Sequence, residues 1–289
     1  MSQDTEQRLR AHVKMLAGTI GERNVFVPGT LERAADYLRG ELKAAVGEVR
    51  EQPYRTRGVE VRNLEAVAEG EDPSLPELVV GAHYDSVRGS PGANDNGSGV
   101  AALLEIARQL GNPVGRRTVR YAAFVNEEPP FFRTAEMGSR VYARRLAREQ
   151  RALTGAVVLE TIAYFSDRTG SQHYPPFFDY FYPESGNFIG FVSDRSSRQF
   201  MNRAVEAFQA ATDFPVEHVA APALVPGIDW SDHASFWKHG VPGFMITDTA
   251  PYRYPYYHSA EDTPEKLVYD RFAELTQGLA EMVRRLAAE

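Results

Sequence analysis

Residues 77–110 (ELVVGAHYDSVRGSPGANDNGSGVAALLEIARQL) constrain the fold of this chain more than any other stretch. Leu78, Val79, Val80 and Ala82 form a short apolar run without helical spacing, which suits a strand buried on both faces. Val100, Leu103, Leu104, Ala107 and Leu110 then recur at helical intervals and give one apolar face. His83, Asp85 and Asp95 fall between the two, at the carboxyl end of a strand and just before a helix N-terminus. Open α/β sheets keep their ligands at that place. Imidazole and carboxylates gathered there suit a divalent metal of zinc type better than magnesium, which prefers all-oxygen shells.

Strands and helices alternate along the rest of the chain. The spacing predicts helices over 1–18, Thr30–Ala45, Met137–Arg151 and Ser196–Ala211. Two strands are expected in 48–70, and further strands over Thr118–Asn126, Ala156–Thr161 and Gly243–Thr249. A last helix is expected from Thr263-Pro264-Glu265, with Thr263 as N-cap and Pro264 in the first turn. Alternation of this kind is the pattern of a three-layer α/β fold. No internal repeat, low-complexity segment or break in composition divides residues 1–289, so a single domain is expected.

Composition narrows the function. The net charge of −7 argues against nucleic acid or an anionic membrane as partner, since both call for basic surface. With no cysteine, disulfides, thiolate metal sites and a cysteine nucleophile are excluded. The N-terminal residues lack an apolar leader core and no apolar run is long enough to span a bilayer, so a cytoplasmic protein is expected.

Successive strand ends carry acids or imidazole: His83 and Asp95, then Glu127 and Glu128, then Glu160, and His258 after the last strand. Neighbouring strand residues point to opposite sides, so Glu127 and Glu128 can serve different roles, one on a metal and one free. A free carboxylate beside metal-bound water is what a hydrolase needs as general base. His233 and Ser231-Asp232 invite a weaker reading, either as a cap for a helix through Phe236 and Trp237 or as neighbours of the site. The aromatic run Tyr174–Tyr182 reads as core or a subunit contact, and part of Tyr252–Tyr257 as pocket lining.

The segments His83-Tyr84-Asp85, Gly92-Ala93-Asn94-Asp95-Asn96-Gly97-Ser98-Gly99, Asn126-Glu127-Glu128, Leu159-Glu160 and Tyr257-His258-Ser259-Ala260-Glu261-Asp262-Thr263 resemble, in order, the motifs of the M28 zinc aminopeptidases. The resemblance runs from about His12 to the C-terminal helix. It implies a central mixed, mostly parallel sheet and two zinc ions bridged by Asp95, with cobalt or manganese as alternatives. His83 and Glu160 would complete one metal site, and Glu128 and His258 the other. Glu127 falls at the general acid/base position. Asp85 falls where a second acid orients the ligand histidine, and Tyr257 where some members stabilise the oxyanion. Family members also carry a cis peptide after the bridging aspartate, here Asp95–Asn96. Two positions depart from the common pattern: Glu160, where several members use Asp, and Pro129-Pro130-Phe131-Phe132, where many have a Gly-containing turn.

The expected reaction is therefore two-metal hydrolysis of the N-terminal peptide bond of peptides with a free N-terminus, Glu127 taking the water's proton and returning it to the leaving amine. The ligand set leaves the oligomeric state open. Glutaminyl-peptide cyclotransferases share this fold and much of this ligand set, but resemble one another in a tryptophan before the last histidine, where this chain has Tyr257. A binding domain that lost its metals is the third reading, and here all five ligand positions are filled.

Overall fold

The computed structural model describes residues 2–289; residue 1, the start of the first expected helix, lies outside the described residues. Eight strands form one sheet: β1 Val49–Thr56, β2 Val59–Ala68, β3 Glu77–His83, β4 Val119–Phe124, β5 Leu153–Glu160, β6 Ile189–Ser193, β7 Val216–Ala220 and β8 Gly243–Thr247. Their order across the sheet is β1-β2-β4-β3-β5-β8-β6-β7. The middle four, β4-β3-β5-β8, are mutually parallel; β2 joins β4, and β6 joins β8, in antiparallel register. The expected mixed, mostly parallel α/β sheet is therefore present.

Among the described residues seven helices cover it: α1 Ser2–Val13, α2 Thr30–Ala45, α3 Gly97–Leu110, α4 Gly138–Arg148, α5 Arg198–Gln209, α6 Ala234–Trp237 and α7 Tyr269–Ala288. α1 continues into a π-helical segment, Lys14–Ile20. The layers follow from the pleat. Leu78, Val80 and Ala82 of β3 enter the large core under α1, α2, α3, α5 and α7, whereas Val79 enters a smaller one with Phe124, Tyr142 and Phe236 under α4 and α6. Gly81 lies on the smaller side because a β-carbon there would meet the Phe124 ring at 2.5 Å.

Two strands and one helix start differ from the expectation. β6 and β7 were not apparent in the sequence: Gly190 interrupts the first, and the second is a half-exposed edge strand bearing Glu217 and His218. The last helix starts at Tyr269, not Thr263. Pro264–Lys266 form a separate 3₁₀ turn, and Thr263 makes no side-chain cap. Leu267 is extended and the Val268 N–H donates to the Ala163 carbonyl, which holds the chain out of helix for those residues.

Burial gives the fold a pH dependence. His12 is buried with Nδ1 2.6 Å from the Tyr37 hydroxyl, and burial lowers its pKa to about 4. The folded state keeps His12 neutral while the unfolded chain protonates near 6.5, so this residue's stabilisation is present above pH 6.5 and lost as pH falls towards 4. In His12→Asn the fall in unfolding free energy between pH 7 and pH 4.5 should be smaller than in wild type by about 2 kcal/mol, read from denaturant titrations at the two pH values. Equal falls would contradict this reading.

Candidate metal centre

The parallel strands end on one edge of the sheet, and that edge gathers the expected groups. His83 closes β3, Glu127 and Glu128 follow β4, and Glu160 closes β5. Asp95 comes from the β3–α3 loop and His258 from the loop after β8. His83 Nε2 lies 3.4 Å from Asp95 Oδ1 and 3.3 Å from Glu160 Oε2. His258 Nε2 lies 3.1 Å from Asp95 Oδ2 and 3.3 Å from Glu128 Oε2. The two carboxylate oxygens of Asp95 thus face two different histidines, and the residues form two triads sharing Asp95. Glu127 belongs to neither; its carboxylate approaches His83 Nε2 at 4.0 Å.

This arrangement fits divalent ions of zinc type. Nitrogen and oxygen ligands about 2.0–2.1 Å from one ion at tetrahedral angles stand roughly 3.3 Å apart, which matches the separations across each triad. His83 Nε2, which faces Asp95 and Glu160, is buried with no hydrogen-bond partner, and so is Glu128 Oε1, so both have an unused lone pair or donor position.

The charge balance gives the same answer. Asp85, Asp95, Glu127, Glu128, Glu160 and Asp232 are all buried here, and among the described residues no lysine or arginine pairs with any of them. The nearby buried Arg23 donates to main-chain carbonyls, those of Leu16, Gly21, Tyr84, Pro91 and Gly92. Burial, then the neighbouring Asp95 carboxylate, pushes Glu128 up to about 8. Burial pushes Glu127 well above the usual carboxylate range, with Glu160 and Glu128 adding to it and His83 opposing. Asp95 goes the other way: burial opposes its charge, but His258 and His83 together hold it low. Cations in the centre would relieve this crowding.

The loops are held by groups that local spacing did not reveal. Asp85 accepts the main-chain N–H groups of Glu127 and Glu128, both at 3.1 Å, and so fixes the segment that carries both glutamates. Its contact with His83 is longer: Nδ1 is 3.5 Å from the Asp85 carboxylate and 3.2 Å from the Asp85 carbonyl. Asn96 caps α3 by accepting from Gly99 N–H, accepts again from Thr161 N–H, and donates to the Leu159 carbonyl, tying the helix start to the end of β5. A β-carbon on Gly99 would meet Asn96 Oδ1 at 2.3 Å and the Leu159 carbonyl at 2.5 Å, so only glycine allows this approach. The Asp95–Asn96 peptide is cis. Ser231 and Asp232 do not cap α6; Ser231 donates to Glu160 Oε2 at 2.6 Å, and Asp232 is buried with neither oxygen hydrogen-bonded.

Asp262 is the main missed support. Its carboxylate accepts Asn94 N–H at 2.8 Å, Asp95 N–H at 3.1 Å and the Tyr254 hydroxyl at 2.7 Å. Asp262→Ala leaves two buried amides without an acceptor and should lower unfolding free energy by about 2–4 kcal/mol in denaturant titration, with zinc affinity falling in parallel. Stability within 0.5 kcal/mol of wild type, on the order expected of a surface change, would contradict this role.

A second feature borders the centre. Glu160 and Tyr257 stand at one side of a largely apolar cleft lined by Phe188, Val192, Ile228 and Met245, with about 820 Å³ of space partly open to solvent. Tyr174, Phe178 and Tyr182 line it as well, so these residues of the first aromatic run form a cleft wall and not core. Tyr252 and Tyr257 line it from the second run. The Tyr257 ring stacks on His258 at 3.9 Å. Burial and the surrounding carboxylates raise the Tyr257 pKa, so its hydroxyl stays protonated and can donate.

Comparison with known proteins agrees with this geometry. Residues 63–283 match the model of peptidase family M28, and the chain belongs to that family. It is 36% identical over 282 residues to the protein YfbL of Escherichia coli strain K12, covering 94% of this chain and 86% of that one. It is 27% identical over 218 residues to aminopeptidase Y of Saccharomyces cerevisiae, covering 73% of this chain but only 36% of the yeast protein. In fold it is similar to BSAP, a zinc aminopeptidase from Bacillus subtilis, with a TM-score of 0.76 at 14% identity over 98% of this chain and 95% of that one. The chain is thus an enzyme of the peptidase class, as its motifs led one to expect.

Proposed function

We propose that the chain is a dinuclear zinc aminopeptidase that releases the N-terminal residue of peptides. The observation that carries this reading is the pair of triads sharing Asp95, with Glu127 buried beside them and outside both. His83, Asp95 and Glu160 would hold one ion; Asp95, Glu128 and His258 the other. Bound there, the two ions would supply the positive charge that acidifies a water and polarises a peptide carbonyl.

The chain's own groups do the rest. Glu127, whose basicity is raised by burial and by neighbouring carboxylates, takes a proton from the attacking water and then delivers it to the nitrogen of the leaving amine. Asp85 holds that glutamate in place through its main-chain N–H. The Tyr257 hydroxyl donates to the oxygen on which negative charge develops. The remaining acidic charge of the centre favours the substrate's α-ammonium group, which selects free N-termini.

The apolar cleft beside Glu160 and Tyr257 receives the side chain of the residue being released. Leucine or phenylalanine there should be preferred over aspartate by roughly 10- to 100-fold in kcat/KM, the range set by about 1.5–3 kcal/mol for burying such a side chain. Glutaminyl cyclisation is tested on the same protein. A peptide beginning with glutamine should release free glutamine when the chain is zinc-loaded; release of ammonia with a pyroglutamyl product would establish the cyclase instead.

A further inference from the structure

A second cleft, with about 870 Å³ of space partly open to solvent, lies between the segment after Glu128, the start of α4, and α6 with the chain before it. Its lining includes Arg133, Arg140, Lys238, Asp229 and Ser231. One wall is common to both clefts, because the side chains of the connecting segment alternate. Ile228 and Trp230 line the apolar cleft, while Asp229 and Ser231 line this one. Ser231 also donates to Glu160, so one residue of this lining touches the candidate metal centre. The opposite wall begins just past Glu128, where two turns, Phe131 N–H to the Glu128 carbonyl and Thr134 N–H to the Phe131 carbonyl, fold the chain back and place Arg133 at the cleft.

The charge here opposes that of the whole molecule. Three cationic side chains against one carboxylate give 3 − 1 = +2 within the lining, on a chain of net charge −7. Asp229 pairs with Arg133. Arg140 has no acidic partner among the described residues: it donates to the Thr134 carbonyl, and its Nε is buried with no hydrogen bond. Burial and then the Arg133 charge disfavour the Arg140 cation, and the attraction of an anion in the cleft would offset them.

This lining is tied to the centre at two points, through the turns that follow Glu128 and through Ser231 on Glu160, so a peptide whose first side chain fills the apolar cleft can extend from the centre towards it. We infer that Arg140, with Arg133 and Lys238, binds a substrate carboxylate on the leaving side of the scissile bond. This rests on the aminopeptidase reading and deepens it: the substrates are short peptides whose α-carboxylate reaches the cleft, or peptides with an acidic residue after the one released. The two sources share one chemistry, and guanidinium groups suit it by forming charge-assisted, paired hydrogen bonds.

The test compares kcat/KM for matched substrates on the zinc-loaded full chain: Leu-Gly-Gly against its C-terminal amide, and Leu-Glu-amide against Leu-Gln-amide. At least one carboxylate substrate should be favoured about tenfold, the equivalent of about 1.4 kcal/mol. The first pair reports the α-carboxylate and the second the side chain. In Arg140→Gln the ratio should fall to about one, and in Arg140→Lys to an intermediate value. Because each value is a ratio on one preparation, partial unfolding of a variant cancels. Ratios near one in wild type with leucine still released, or an unchanged ratio in Arg140→Gln, would overturn the inference. No leucine from any of the four substrates would instead overturn the aminopeptidase reading and this inference with it.

Discussion

Glu127→Gln should lower kcat by about 100- to 10,000-fold while the zinc content of the protein stays at the wild-type level. The substitution keeps the shape of a side chain that belongs to neither triad and removes only its ability to take a proton. It also has an effect on folding that a merely structural glutamate would not show. Burial and the adjacent carboxylates raise the Glu127 pKa, so in the metal-free protein the folded state binds this proton more tightly than the unfolded chain does. Stability from this group is present below the ordinary carboxylate pKa and is lost as pH rises through the raised value. At pH 7.5 metal-free Glu127→Gln should therefore melt at or above the wild-type temperature, even as turnover collapses. Retained turnover would remove Glu127 from the reaction; a lowered melting temperature would contradict the account of its surroundings.

Asp95→Ala should have the second large effect, because one residue serves both triads. Each of its oxygens stands within 3.4 Å of a different histidine. Zinc bound after gel filtration should fall from two per chain to less than one, and peptidase activity should fall with it below detection. The thermal response separates this from simple unfolding. Adding zinc to the stripped wild-type protein should stabilise it by about 4 kcal/mol at a thousandfold excess over the dissociation constant, and a chelator should reverse this. In Asp95→Ala zinc and chelator should leave the melting temperature almost unmoved. Two tightly bound zinc ions in that variant would contradict the bridging role.

Much of the site was legible because its chemistry is unusual at the places where it occurs. β3, β4 and β5 are nearly all apolar because helices cover both faces, so a histidine or glutamate closing such a run stands out. Asp85 was expected as a support, though on His83 and not on the main chain of Glu127 and Glu128; the other supports were not legible, since they depend on contacts between distant parts of the chain. Asp262 meets Asn94 and Asp95 across 168 and 167 residues, and no local spacing carries that pairing. Ser231 is a good capping residue by type, but α6 begins at Ala234 with His233 at the cap position, and the Ser231 hydroxyl goes to Glu160, 71 residues away. β7 was missed for a different reason: as an edge strand its residues are only half covered, and Val216–Ala220 lacks the continuous apolar character of the central strands. For the run Tyr174–Tyr182 aromatic character alone suggests core or a subunit contact; Tyr174, Phe178 and Tyr182 instead line a cleft, and local sequence does not separate these surfaces.

The account rests most on hydrolysis at a free N-terminus, and one measurement addresses it directly. Zinc-loaded protein is incubated with a mixture holding the same peptides in free and N-acetylated form, and the products are read by mass spectrometry. Loss of single N-terminal residues from the free forms alone, fastest where that residue is leucine or phenylalanine, is the expected result. Cleavage of the acetylated forms at equal rate, or no cleavage of either with two zinc ions bound, would contradict it.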